Sequence, residues 1–180
     1  MEIIVTEDGI GKVELLETYG SEELIAKAAR QSYGSDEVKN QDKLIKYLME
    51  NDHGVPFEYA GIVVRVTAPI FVLRHFYTYR TFTRSERSLR YTENNPQYYR
   101  PEVPYLKDYN KHSGDLMLQV FYDQVQIAYQ KLREYGYRKE DARVVVPMGM
   151  YSSAIFRMDL RNLGHFLQQR LASDTQAITR

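Results

Sequence analysis

Cysteine is absent from the 180 residues, which excludes disulfides, thiolate metal sites and a cysteine nucleophile. Tryptophan is absent as well. Net charge is also missing: 24 Lys and Arg balance 24 Asp and Glu, so no global field draws the chain to nucleic acid or to a membrane surface. No apolar run is long enough to span a bilayer and no signal peptide is visible, so a cytoplasmic location is expected. No Gly-x-Gly-x-x-Gly or Walker-type loop occurs; Gly54, Gly61, Gly149 and Gly164 stand alone, so any dinucleotide would be held by something other than a Rossmann turn. The four histidines, His53, His75, His112 and His165, show no ligand spacing among themselves or with carboxylates, and no metal is expected.

What is present is the composition of a folded globule. Hydrophobic residues make up 43% and aromatic residues 13% of the chain, enough for one domain over residues 1–180 with a real core. Residues 2–6 and 12–17 read as strands across the Asp8-Gly9 turn. Residues 22–32 and 36–50 read as helices, the second with Ser35 as N-cap. Residues 60–67 are β-branched and apolar, hence a strand, and Pro69 opens a helix at a position that tolerates proline. Residues 94–113 read as a long ordered loop. Residues 116–135 form a long helix with Met117, Phe121, Val125, Ala128, Leu132 and Tyr135 on one face. Residues 138–145 are helical up to Pro147, residues 151–158 are a strand, and residues 159–171 are a helix capped by Asp159. This order predicts an α+β domain, a small mostly antiparallel sheet packed against long helices.

The stretch most loaded with chemistry runs from Arg80 to Tyr91. It holds Arg80, Arg84, Arg87 and Arg90, with Ser85, Ser88 and the single carboxylate Glu86, and it contains no lysine. Arginine offers a planar fork of donors suited to phosphate and carboxylate, and serine hydroxyls complete an anion shell. The readings left open on spacing alone are a nucleotide-phosphate site, a solvated basic loop and a nucleic-acid patch. Zero net charge favours a small anion over a long polyanion. Tyr91, Tyr98, Tyr99, Tyr105 and Tyr109 crowd the following segment, as stacking surfaces for a ligand ring or as packing with a wet hydroxyl. In the last helix, a 100° advance per residue places Leu160, Leu163, Phe166, Leu167 and Leu171 on one stripe, and Arg170 falls within it. A guanidinium there needs a partner, either a carboxylate such as Asp159 or Glu86, or a ligand. Arg161 and His165 lie one turn apart on the flank of that helix.

These segments together resemble the flavin-dependent thymidylate synthase family. Its signature of Arg-His-Arg, a spacer and Ser-x-Asn-Glu-x-Ser-x-Arg-Tyr is matched in its second half by Glu86-Arg87-Ser88-Leu89-Arg90-Tyr91. The resemblance includes Ala28 to Tyr33, His53-Gly54-Val55-Pro56-Phe57-Glu58, Ala68 to Arg74, Ala142 to Pro147, Arg161 to Phe166 and Arg170 to Gln176. It implies the fold of thymidylate synthase-complementing proteins. It also implies reductive methylation of dUMP to dTMP, with FAD as cofactor and NADPH and methylenetetrahydrofolate as co-substrates. Ring activation without a cysteine is compatible with that chemistry. By the same resemblance the substrate site comprises His75, Glu86, Arg87, Ser88, Leu89, Arg90, Arg143 and Arg170, with Arg170 and Ser88 as the catalytic residues. The cofactor site comprises His53, Thr78, Tyr79, Arg80, Glu86, Asp159, Arg161 and His165. A homotetramer with active sites shared between subunits is expected.

The chain departs from the family mostly on the cofactor side. Arg-His-Arg is replaced by Thr78-Tyr79-Arg80, the signature asparagine by Ser85, and two asparagines of the last helix by Asp159 and His165; a glutamine toward the nucleotide becomes His75. Asp159 would oppose a flavin phosphate unless paired, for which Arg161 is the expected partner. The chain ends at Arg180, where relatives are expected to continue. Three functional readings follow: the synthase itself, a relative acting on another pyrimidine nucleotide or adding another one-carbon group such as hydroxymethyl, or a nucleotide-binding protein without this catalysis.

Overall fold

The computed structural model describes residues 3–34, 40–88 and 96–172. It is built on five antiparallel strands in the order β1-β2-β3-β5-β4, where β1 is Ile3–Val5, β2 Lys12–Tyr19, β3 Gly61–Pro69, β4 Thr83–Glu86 and β5 Tyr151–Asp159. The helices are α1 Glu22–Gln31, α2 Gln41–Glu50, α3 Ile70–Tyr77, α4 Asp108–Glu134, α5 Lys139–Ala142 and α6 Leu160–Arg170. The α+β expectation holds, as a small all-antiparallel sheet against helices. None of the helices among the described residues is long and apolar enough to cross a membrane.

The β3–β5 ladder forms the spine, with Gly61 opposite Asp159 and Pro69 opposite Tyr151. Both strands alternate with period two. Val64, Val66 and Ala68 point to the same face as Ala154, Phe156 and Met158, and that face takes Leu73 of α3, Phe82 and Phe166 of α6. Phe156 and Leu73 are the largest fully buried side chains. A second, smaller cluster joins Ile25 of α1, Leu48 of α2 and Ala60. Between α2 and β3 the chain makes a 3₁₀ turn, Val55–Tyr59.

Local chemistry explains most element ends. Ser21 accepts the Leu24 amide and caps α1, with Glu22 and Glu23 in the positive first turn. Asp159 accepts the Asn162 amide and caps α6 as expected. Several expectations are corrected. The N-cap of α2 is Asn40, whose side chain accepts from Lys43; Ser35 lies outside the described residues. Pro69 is not the first helical residue. It is extended (φ −55°, ψ 145°), ends β3 and precedes α3. The loop expected up to residue 113 ends sooner, because α4 begins at Asp108. The inward face of α4 carries Tyr122 and Val125, whereas Met117, Phe121 and Tyr135 are exposed. On α6 only Phe166 of the expected stripe is buried; Leu160, Leu167 and Leu171 are exposed in the single chain.

The hairpin of β1 and β2 is tied to the spine through Asp8. Its carboxylate accepts from the Thr6 hydroxyl, the Ile10 and Gly11 amides and the Tyr151 hydroxyl. Burial alone would push the Asp8 carboxyl up, but these donors outweigh it and hold it at about 2, below the ordinary 3.8. A folded-state value below the unfolded one means that ionised Asp8 stabilises the fold above about pH 4, and that this contribution is lost as pH falls toward about 2. Asp8→Ala should therefore melt below wild type at pH 7, and the gap should close between pH 4 and 2; a gap independent of pH would refute the assignment. Phe156→Ala, which empties the centre of the core, should cost about 3–5 kcal/mol in urea unfolding.

Candidate active site

Two strand ends carry the site. β3 leads through α3 into β4, and β5 leads directly into α6. The arginine-rich stretch, expected as a loop, instead contributes β4 at the sheet edge, with Thr83 opposite Arg157 and Glu86 opposite Ala154. The Arg87 amide donates to the Ser153 carbonyl. The pairing thus carries Glu86, Arg87 and Ser88 toward the start of β5, with Arg87 exposed and Ser88 half-buried. Leu89 and Arg90 lie outside the described residues, as does Tyr91. Arg143, in the 3₁₀ turn Arg143–Val145 after α5, donates from Nε to the Glu140 carbonyl and is exposed.

Glu86 is engaged within the chain. Its carboxylate accepts from the Tyr77 hydroxyl at the end of α3. Burial, then the Glu86 carboxylate, raise the Tyr77 phenol above its ordinary value, so it stays a donor at neutral pH. Arg84 lies 4.7 Å over the Tyr77 ring and donates to the Tyr77 carbonyl. His75 is half-buried one turn earlier, and its carbonyl accepts from the Thr78 hydroxyl. Thr78 and Arg80 are exposed.

Tyr79 is the hub of the second group. Its ring stacks on Phe82 at 5.3 Å and 16° and meets Phe166 edge-on at 5.0 Å. His165 lies 6.4 Å away, also edge-on. The Tyr79 hydroxyl donates to Gln169 Oε1 at 2.6 Å and accepts from Arg170 Nε at 3.1 Å. Gln169 Nε2 and His165 Nε2 are 3.0 Å apart. Arg170 is half-buried, as its helical phase predicts, and its guanidinium sits 5.4 Å from the Tyr79 ring centre. Neither expected carboxylate pairs with it among the described residues: Asp159 turns both oxygens to Asn162, and Glu86 takes Tyr77.

Arg161 likewise departs from expectation. Its partner is Glu58, not Asp159. It lines a cleft of about 700 Å³ with Arg30, Tyr33, Tyr47, Asp52 and His53, between α1, α2 and the 3₁₀ turn. A Cβ at Gly54 would come within 2.7 Å of Arg161 Nε, so the bare backbone there lets the arginine lie against the turn. Buried Arg30 Nε meets no acceptor among the described residues. Two guanidinium groups and aromatic edges around an open cleft suit a ligand with both an anionic group and a planar ring system. His53, Arg161 and the Ala28–Tyr33 segment come together here; Thr78, Tyr79 and Arg80 are not among the cleft's lining residues.

Sequence reasoning did not single out Arg30, Glu58 or Gln169. Helical spacing could have found Gln169, four residues after His165. Glu58 ends a segment that carried the resemblance. Of the crowded tyrosines, Tyr98 stacks on Tyr122 at 4.2 Å and Tyr99 meets Phe71 edge-on, so both pack; Tyr105 and Tyr109 are exposed.

The site thus combines an edge strand that bears arginines with a helix that returns an arginine to a tyrosine hub. Residues 14–180 match the family described as thymidylate synthase complementing protein, and the chain belongs to that family. It is 35% identical over 179 residues to the flavin-dependent thymidylate synthase of Thermus thermophilus, covering 92% of this chain and 66% of that protein, a little under two thirds of its length. With the enzyme of the same name from Kosmotoga olearia it shares 32% identity over 191 residues, covering 98% of this chain and 82% of the relative. Among solved structures, the UMP/dUMP methylase PolB from Streptomyces cacaoi bound with 5-Br dUMP superposes with a TM-score of 0.78 at 33% identity, over 89% of this chain and 77% of that one.

Removing the Tyr79 hydroxyl alone leaves the ring on Phe82 and Phe166. Tyr79→Phe should therefore cost only about 0.5–1.5 kcal/mol. Tyr79→Ala, which also removes the ring, should cost about 3 kcal/mol. Urea unfolding of the two variants separates these values, and equal losses would show that the ring does not anchor α6.

Proposed function

We propose that this protein is a flavin-dependent methylase that converts dUMP to dTMP, with FAD, NADPH and methylenetetrahydrofolate. The observation that carries the reading is Arg170. Its half-buried guanidinium is held from one side by Tyr79 and meets no carboxylate among the described residues, so its positive charge is left to face a ligand. The relatives' names and the neighbour's bound bromo-dUMP supply the substrate class.

In this reading the nucleotide phosphate is fixed by Ser88, Arg90 and Arg143, and His75, Glu86, Arg87 and Leu89 complete its site. Arg170 places positive charge where the uracil ring gains negative charge as C5 becomes nucleophilic, which lowers the barrier without covalent attack. The fixed phosphate orients the ring for that step. Ser88 shares this task as the second catalytic residue. The cleft fits a flavin nucleotide: His53 and Arg161 would hold it, joined by Thr78, Arg80, Glu86, Asp159 and His165, some of them from a neighbouring subunit. Bound and reduced, flavin supplies the hydride that turns the transferred one-carbon unit into a methyl group. A homotetramer with shared sites is part of the proposal. Its support in the single chain is the row of exposed Leu116, Met117, Val120 and Phe121 on α4, an apolar face of the kind that subunit contacts cover. The cytoplasm remains the proposed location, and residues 1–180 are proposed to act as one unit.

The test is tritium release from 5-tritiated dUMP, with UMP and dCMP in parallel, under saturating FAD, NADPH and methylenetetrahydrofolate. Release from dUMP with a methylated product is expected. Release from dCMP alone would move the reading to another base, and no release from any would overturn methylation. Arg170→Ala should lower kcat roughly 100-fold or more, while dUMP binding weakens only about threefold; equal losses would sink the role in the transition state. Gly54→Ala should displace Arg161 from the turn and reduce flavin retention, at a cost in stability of only about 0.5 kcal/mol.

A further inference from the structure

We infer that Tyr79 is a positioning residue that sets the direction of the Arg170 guanidinium, and that Gln169 and His165 fix the Tyr79 hydroxyl in turn. This rests on the role of Arg170 given above. The resemblance would place a cofactor-contacting histidine at position 79; in this chain the tyrosine there turns onto its own α6.

Donor and acceptor chemistry makes the network one-directional. Arg170 Nε–H can only donate, so the Tyr79 oxygen accepts it at 3.1 Å. The phenolic proton is then free to go to Gln169 Oε1, at 2.6 Å. That assigns the other end of the amide as NH2, which donates to His165 Nε2 at 3.0 Å. Each link orients the next, from Arg170 through Tyr79 and Gln169 to His165. The ring that carries the central oxygen stacks on Phe82 and meets Phe166 edge-on, so the oxygen has little freedom to wander. The Nε of Arg170 is thereby consumed, and the guanidinium lies 5.4 Å from the ring centre. What remains is the pair of terminal nitrogens, the planar fork that recognises an anionic or carbonyl edge. A buried carboxylate could also orient an arginine, but it would neutralise the charge that the ring chemistry needs. A phenol orients it and leaves the charge in place.

The network also joins two halves of the site. His165 was expected on the flavin side and Arg170 on the nucleotide side. Tyr79 and Gln169 connect them within one subunit.

The experiment uses the flavin-loaded enzyme and compares wild type, Tyr79→Phe, Arg170→Lys and the double variant by tritium release from 5-tritiated dUMP. Dissociation constants for dUMP and the flavin content of each preparation are measured alongside. Tyr79→Phe should lower kcat about tenfold, with dUMP affinity and flavin content within about twofold of wild type. In the Arg170→Lys background, which already lacks the Nε–H, the same change should alter kcat less than about twofold. Should Arg170→Lys be inactive, Gln169→Leu replaces it: it should reproduce the Tyr79→Phe loss, and the pair should lose no more than either alone. Unchanged kcat in Tyr79→Phe, equal factors in both backgrounds, additive losses in the Tyr79 and Gln169 pair, or a fall in flavin content that accounts for the rate would each overturn the positioning role. Wild-type enzyme that releases no tritium would overturn the methylase reading instead, a different result.

Discussion

The pairing of β3 with β5 is the constraint on which the other parts depend. It joins residues about 90 positions apart in the chain, Gly61 to Asp159 at one end and Pro69 to Tyr151 at the other. Such a ladder forms only after a long loop has closed. Once formed it aims both carriers of the site. Pro69 ends β3 and sends α3 back across the core; Asp159 ends β5 and caps α6 at the point where the strand stops. The face between them is filled by Phe156, Leu73, Phe82 and Phe166, which presses α3, the Tyr79 turn and α6 against one another. Arg170 meets Tyr79 because these helices share that core, although the two residues are 91 positions apart.

The legible parts of the sequence were those with local signals. Asp159 announced a helix start through a hydrogen bond made three residues on. The inward bias of Arg170 followed from helical phase alone. β4 was illegible because Thr-Arg-Ser-Glu has no apolar alternation; it is an exposed edge strand defined by its neighbour. The early start of α4 was hidden by the polar run Asp108–Ser113 and by Gly114, which score poorly as helix and carry no cap signal. Partners were the least legible of all. Arg161 with Glu58 and Arg170 with Tyr79 are tertiary pairs, and periodicity locates a face without naming what stands opposite it.

Charge is distributed in a way that composition conceals. A chain with zero net charge still holds its arginines in different electrostatic states. Arg161 is matched by Glu58 at the cleft rim, and Asp159 spends its carboxylate on the cap of α6, so the negative charge that seemed hostile to an anionic cofactor is tied up locally. Among the described residues, Arg170 has a phenol and an aromatic face instead of a counter-ion. Cation–π contact and a neutral hydrogen bond stabilise a guanidinium without cancelling its field, whereas an ion pair would cancel most of it at close range.

That difference bears on the replaced motif at 78–80. Exchange of an arginine and a histidine for Thr78 and Tyr79 removes cationic character from the cofactor side, which by itself would weaken an anion site. The structure shows what the exchange supplies: a hydroxyl placed to receive Arg170 and a ring that packs against both Phe82 and Phe166. The cleft retains Arg30, whose Nε meets no acceptor among the described residues, and Arg161, which is paired with Glu58. The departure therefore reads as a redistribution, with guanidinium groups kept in the cleft and position 79 bonded to Arg170 instead of carrying a cation.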